Sequence, residues 1–171
     1  MASETHTTAA APVQYAAVKA YEFGADIQEY LSDVKEIIKI VANYVVRCIR
    51  ELGITIADPV GGFYVYLDFT SSPDLIAKLK RRNIENCNEL AKRLLSNIGL
   101  TSLPASDFIS AKDRSPPMAI RLAYVDFDGK MALESFRKRK ANNTFEESSF
   151  LKENCKNIVE GLNALRNWFD E

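Results

Sequence analysis

Histidine is nearly missing from this sequence. The one present, His6, stands in a small, polar N-terminal stretch, which argues against a histidine triad, a histidine metal site and histidine acid–base work. Cysteine is scarce as well. Cys48, Cys87 and Cys155 are odd in number, widely spaced and without a C-x-x-C pair. Free thiols in a reducing compartment are therefore expected, with no disulfide framework and no metal site, and a cytoplasmic location with them. Neither sign of charge dominates: the formal net charge is −1, so no global field draws the chain to nucleic acid or anionic lipid. No apolar run approaches the ~20 residues of a membrane helix. The opening "MASETHTTAAAPVQ" has no basic region followed by an apolar core, so it does not read as a secretory signal. Phosphate cradles of the G-x-x-x-x-G-K-[ST] or G-x-G-x-x-G type are absent too.

What is present suits one globular domain: 171 residues, 47% hydrophobic and 26% charged. Residues 1–11 are small and polar and are expected to be poorly ordered. A helical part follows over 12–53. Pro12 suits a first helical turn, and "PVQYAAVKAYEF" runs to a break at Gly24. From Asp26 the apolar positions Ile27, Leu31, Val34, Ile38, Val41, Val45, Cys48 and Leu52 alternate in steps of three and four. That spacing predicts one amphipathic helix of about seven turns, closed by Gly53.

Residues 54–171 read as α+β. "ITIA" and "FYVYLDF" are strand candidates; in the second, Phe63, Val65, Leu67 and Phe69 share one face and Tyr64, Tyr66 and Asp68 the other. Both faces therefore look at least partly covered. Ser72-Pro73 caps a helix to about Arg82, and "NCNELAKRLLSNIG" is another, closed by Gly99. "LTSLPASDFI" is a short strand entering a turn, and "AIRLAYVDF" a further strand after a polar, proline-ended loop. The rest is largely helical, with Leu151, Cys155, Ile158, Leu162, Leu165 and Phe169 on one stripe. The expected architecture is a small, largely antiparallel sheet covered by helices, with a long helix ahead of it.

Two features carry possible chemistry. Arg121 is a permanent charge inside an apolar strand. It is either half of an internal salt bridge, to an acid such as Asp68 or Asp126, or a bidentate carboxylate site. Ala119 and Ala123, its same-face neighbours, would leave room beside the guanidinium for a small ligand. The paired glycines of "PVGGFYVYLDF" permit φ > 0 and a close approach, or simply make a turn before an aromatic strand. The basic run Arg137 to Lys140 reads as a solvated helix end, and Cys48 and Cys155 as core packing.

In order along the chain, these elements resemble the C-terminal part of pyridoxal-phosphate-dependent aminotransferases of class I/II, fold type I. "SETHTTAAAPVQYAAVKAY" is similar to the S-A-P-x-Q-x-A-A segment after that family's cofactor lysine, and the long helix to the one bridging its two domains. "PVGGFYVYLDF" resembles its P-x-G-G-F-Y strand. "ELAKRLLSNIGLTSLPASDF" resembles its helix and strand before a P-G-x-x-F turn, with Ala105 in place of the usual glycine. "AIRLAYVDF" resembles its I-R-L-S-F strand. The resemblance implies that Arg121 binds the α-carboxylate of an amino acid or 2-oxo acid, and that Gly62 and Phe63 neighbour the substrate entrance.

It also implies pyridoxal phosphate in the complete family, held on a lysine in an S-x-x-K context followed by G-x-R. No lysine here has those surroundings; Lys112 in "SAKDRSPP" comes nearest. No catalytic residue and no covalently held cofactor are therefore expected of this chain. The reading is a small-domain portion without a cofactor domain, inactive by itself. Its expected partners are a missing large domain or another copy, and neither nucleic acid nor membrane. A stand-alone carboxylate-binding or protein-interaction module is the alternative.

Overall fold

The alternating apolar spacing after Asp26 folds, as predicted, into one continuous helix. In the computed structural model, which describes residues 9–109 and 115–171, α1 (Ala11–Tyr21) is followed by that long helix, α2 (Ala25–Glu51). Then come β1 (Tyr64–Asp68), α3 (Pro73–Arg81), α4 (Cys87–Ile98), β2 (Leu103–Pro104) and a 3-10 turn at Ala105–Asp107. The chain ends with β3 (Ala119–Ala123), α5 (Gly129–Ala141), α6 (Glu147–Asn154) and α7 (Lys156–Asp170). The class is α+β. Contacts divide the chain into two units, Met1–Glu36 and Ile37–Glu171, with the boundary inside α2. His6 and most of the stretch expected to be poorly ordered lie outside the described residues.

In the first unit, α1 starts with Pro12 in its first turn and buries none of its residues. The break comes earlier than the expected Gly24. Phe23 takes the left-handed conformation, φ +49°. A Cβ on Gly24 would lie 2.7 Å from Asp26 Oδ1, the end of an exposed side chain that can turn away, and the Gly24 carbonyl accepts the first α2 hydrogen bond, from Gln28 N–H at 3.0 Å.

In the second unit, the buried line of α2 is Ile37, Val41, Val45 and Ile49, with Ala42 and Val46 beside it. The sequence stripe had used Ile38, Cys48 and Leu52, which are only partly buried. The difference is about one residue of rotation, as expected when a 3.6-residue helix drifts from a strict 3.5 repeat. Gly53 ends the helix at φ +77°, with Gly53 N–H to Arg50 carbonyl and Ile54 N–H to Ile49 carbonyl satisfying the last turn.

β3 is the central strand, antiparallel to β1 and β2, with Tyr66 and Leu103 as the cross-strand partners of Arg121. Val65, Leu67, Ile120 and Leu122 point into the main core, which includes the α2 line and Leu90, Leu94, Leu165 and Phe169. "ITIA" forms no strand. It contributes one bridge, Thr55 with Asp68, although Ile54 and Ile56 are buried. The second face of β1 is less covered than expected: Tyr64 and Tyr66 are 43% and 41% exposed. The Asp68 end is covered, where Cys87, Ala105 and Ala119 form a small second core with Ile109.

Capping follows the sequence at one helix and departs from it at another. Ser72 makes no side-chain cap, and α3 begins on Pro73 alone. At α4 the Asn86 side chain accepts from Glu89 N–H at 3.0 Å, and the Glu89 carboxylate accepts from Glu85 N–H at 2.8 Å. That last bond, more than any other contact, holds the Glu89 carboxyl below its usual range. The support it gives is present above the ordinary carboxylate pKa and is lost as pH falls through the lowered one. Replacing Asn86 by Ala should lower stability by about 1 kcal/mol, read as an earlier urea midpoint with an unchanged slope. An unchanged midpoint would remove the capping role.

The C-terminal stripe of six residues is buried as predicted, but on two helices. Cys155, at φ −125° and ψ 40°, separates α6 from α7. The basic run on α5 is not simply solvated. The Arg139 side chain, 16% exposed, pairs with Glu153 and donates to Ser149 Oγ at 2.7 Å, and Lys140 lies over the Phe136 ring.

Candidate functional site

Arg121 sits mid-strand on the open face of the sheet, half-buried. Strand alternation places it there: Ile120 and Leu122 are spent on the core, so residue 121 must project from the other side. Its guanidinium carbon lies 4.2 Å from the Tyr64 ring centroid and 4.3 Å from that of Phe108. Tyr64 comes from β1, diagonal to Arg121 in the register, and Phe108 follows the 3-10 turn. The cation is thus held between two aromatic rings, a contact worth ~0.5–1 kcal/mol per ring at an exposed site.

Neither acid offered by the sequence pairs with it. Asp68 accepts from Thr70 N–H at 2.9 Å, which is a local turn bond. Asp126 accepts from Asn157 Nδ2 at 3.3 Å. Among the described residues, no carboxylate lies within ion-pair distance of Arg121. Stacking fixes the guanidinium plane and leaves its N–H edge for a planar, bidentate acceptor.

The flanking alanines differ. Ala119 is fully buried against Cys87 and Ala105, so there is no room on that side. Ala123 is exposed, and any space beside the guanidinium is on its side. Phe63, 41% exposed, stacks on Tyr64 with centroids 4.3 Å apart, one ring away from Arg121. Gly62 has φ +72° and a Cβ there would meet open space, so the turn conformation, not a close approach within the described chain, calls for glycine. The Gly62 carbonyl accepts from the Tyr124 hydroxyl at 3.1 Å, and the Phe63 carbonyl from Tyr124 N–H at 3.0 Å. Tyr124 therefore clamps the entrance to β1.

Tyr64 and Phe108 were not singled out in the sequence. Tyr64 carried a usable signal, since it shares a strand face with Tyr66 and Asp68. Phe108 carried none, because its contact depends on how the segment after β2 returns across the sheet. Lys112 lies outside the described residues.

Other candidate chemistry is weak. Burial pushes the Cys155 thiol up to about 11 and raises that of Cys48, so neither is a thiolate near neutral pH. Burial, then the neighbouring Asp68 carboxylate, raises the Tyr66 phenol. Among the described residues no group of His, Cys, Asp and Glu could hold a metal ion, and no helix is long and apolar enough to cross a membrane. A cavity of about 480 Å³ lies behind β3, on the core side, between Val45, Ile98, Leu122, Tyr124, Ile158 and Leu162. It is mostly apolar and does not include Arg121.

The model of a family described as aminotransferase class I and II matches residues 1–126. No curated protein matches the chain. Among solved structures, it is similar to aspartate aminotransferase from Thermotoga maritima, with 18% identity and a TM-score of 0.57 over 99% of this chain and 31% of that one. An aminotransferase from Mycobacterium tuberculosis matches at 16% identity and a TM-score of 0.46, over 85% of this chain and 26% of that one. The chain thus spans 31% of the length of the Thermotoga protein.

Proposed function

The chain belongs to the aminotransferase class I and II family, and on that premise we propose that it is the small-domain portion of such a protein, with Arg121 binding a substrate α-carboxylate. The observation that carries this reading is the half-buried guanidinium between Tyr64 and Phe108 with no acidic partner among the described residues. A charge kept partly out of water and unpaired is costly. A carboxylate of an amino acid or 2-oxo acid would complete it with two parallel, charge-assisted hydrogen bonds. The rings hold the fork at a fixed angle, and Phe63 extends the apolar wall on the Tyr64 side.

Pyridoxal phosphate, when bound, supplies the electron sink that amino-group transfer requires. The described residues of this chain do not fit it. No lysine stands on the Arg121 face, whose side chains are Tyr64, Tyr66, Asp68, Leu103, Ala119 and Ala123. Lys78 is committed to the Phe169 carbonyl, at 2.7 Å. Alone, the chain recognises a carboxylate and transfers nothing. The exposed Phe63, Tyr64, Tyr66 and Phe108 favour cover by further polypeptide, either a large domain of the family's kind or a second copy.

The test is a two-dimensional NMR titration of the purified chain with glutamate and 2-oxoglutarate. Resonances of Tyr64, Phe108 and Arg121 should move together, with dissociation constants in the millimolar range expected for one anchoring pair. A sample given pyridoxal phosphate, alanine and 2-oxoglutarate should form no glutamate. Unmoved resonances would sink the binding role, and turnover would sink the inactivity.

A further inference from the structure

A second arginine is stacked and, among the described residues, has no acidic partner; it stands 39 residues before Arg121 in the sequence. Arg82, at the end of α3, is half-buried, and its guanidinium carbon lies 4.3 Å from the Trp168 ring centroid. Trp168 on α7 is itself 4% exposed, so it forms a fixed floor. These two residues line an open cleft of about 360 Å³ with Ile84, Arg93, Asn97 and Glu171. Arg93 and Asn97 are one turn apart on the exposed face of α4. Among the described residues, neither Arg82 nor Arg93 has an acidic partner within ion-pair distance. This contrasts with Arg47, Arg50, Arg139 and Arg166, each of which has one.

We propose that the Arg82–Trp168–Arg93 cleft is an anion site for a phosphate monoester of a small molecule. Two guanidinium groups match the two charges of a phosphate dianion. Stacking on indole leaves the Arg82 N–H edge for bidentate contact with phosphate oxygens. The Asn97 amide adds a neutral donor. The volume exceeds that of a phosphate group and leaves space for the carbon skeleton against Ile84. Lys78, Lys80 and Arg81 in the last turn of α3 add positive potential. Glu171 is the acid that lines the cleft, and its carboxylate competes with the ligand. The site is separate from Arg121 and does not depend on the role proposed for that residue.

Trp168 is the single tryptophan of the sequence, so its fluorescence reports this cleft alone. The probes are inorganic phosphate and glycerol phosphate, titrated at constant ionic strength with chloride as the balancing ion. A saturable emission change is expected with both. Arg93→Gln, at an exposed position that carries no packing, should weaken binding about tenfold, as loss of a charge-assisted contact implies. Arg82→Lys keeps the charge without the fork and should weaken it by a similar factor. Glu171→Gln should tighten it about threefold by removing a competing charge. Arg121→Ala should leave the signal unchanged. A wild-type response that fails to saturate, or one that survives intact in Arg93→Gln, overturns the proposal.

Discussion

Arg121→Ala should weaken carboxylate binding by at least about thirtyfold while changing folding stability by no more than about 1 kcal/mol. The binding loss follows from removing one partner of a bidentate ion pair, for which truncation costs ~2–5 kcal/mol. The small stability change follows from what Arg121 touches. The substitution forfeits two ring contacts of about 0.5–1 kcal/mol each, but it also removes a half-buried charge that no described acid compensates. These effects oppose each other. Arg121→Lys separates charge from shape: it keeps the cation, loses the planar fork, and should bind between the other two. Calorimetric titration with glutamate and urea denaturation of all three forms check both halves. An Arg121→Ala variant that binds as the parent does would end the carboxylate role. One that unfolds at much lower urea would show the residue to be structural.

Phe150→Ala should destabilise the chain by about 3–5 kcal/mol, the usual range for emptying a buried phenylalanine site. Phe150 is fully buried. Its ring centroid lies 6.1 Å from that of Phe136 and 5.6 Å from that of Phe145, which are themselves 5.4 Å apart. Phe136 comes from α5 and Phe150 from α6, so the ring cluster fastens one helix to the next. Phe145 is 37% exposed, and Phe145→Ala should cost clearly less. Against a typical total of ~5–15 kcal/mol, the Phe150 variant loses a large share, readable as a large fall in urea midpoint. A shift no greater than that of Phe145→Ala would mean the cluster does not hold α5 and α6. The cluster also gives a role to "KANNTFEESSFLKEN", which lies beyond the residues the family model matches.

Local signals were legible where they were redundant. Apolar spacing and Gly53 together defined α2, and Gly99 marked the end of α4, while the Asn86 cap at its start came only from the structure. Where two local readings competed, packing decided. Gly24 looked like the helix break, yet Phe23 takes the left-handed conformation and makes the turn. Ile54 and Ile56 looked like strand residues and are buried as such, but Asp68 alone bridges to that segment. For the site, the sequence marked Arg121 as a charge inside an apolar strand and left an internal salt bridge and a ligand both open. It did not reveal which neighbours that face brings together. The ring of Phe108 arrives from a turn, the hydroxyl of Tyr124 reaches back 62 residues to Gly62, and Ala119 is sealed by Cys87 from a helix before β2. Each is a long-range contact, set by how the sheet and helices meet and not by any residue's own neighbours.

The shortness of β2 has a consequence for the behaviour of the chain in concentrated solution. An open sheet face rich in tyrosine and phenylalanine invites stacking, and an unpaired strand edge beside it would let such stacks grow by hydrogen bonding from chain to chain. On the β2 side that edge is two residues long, and the second, Pro104, has no N–H to offer. An incoming strand finds almost nothing to pair with there. With the β2 edge closed in this way, pairing along the other edge, β1, can join two chains but cannot continue through the sheet into a growing fibre.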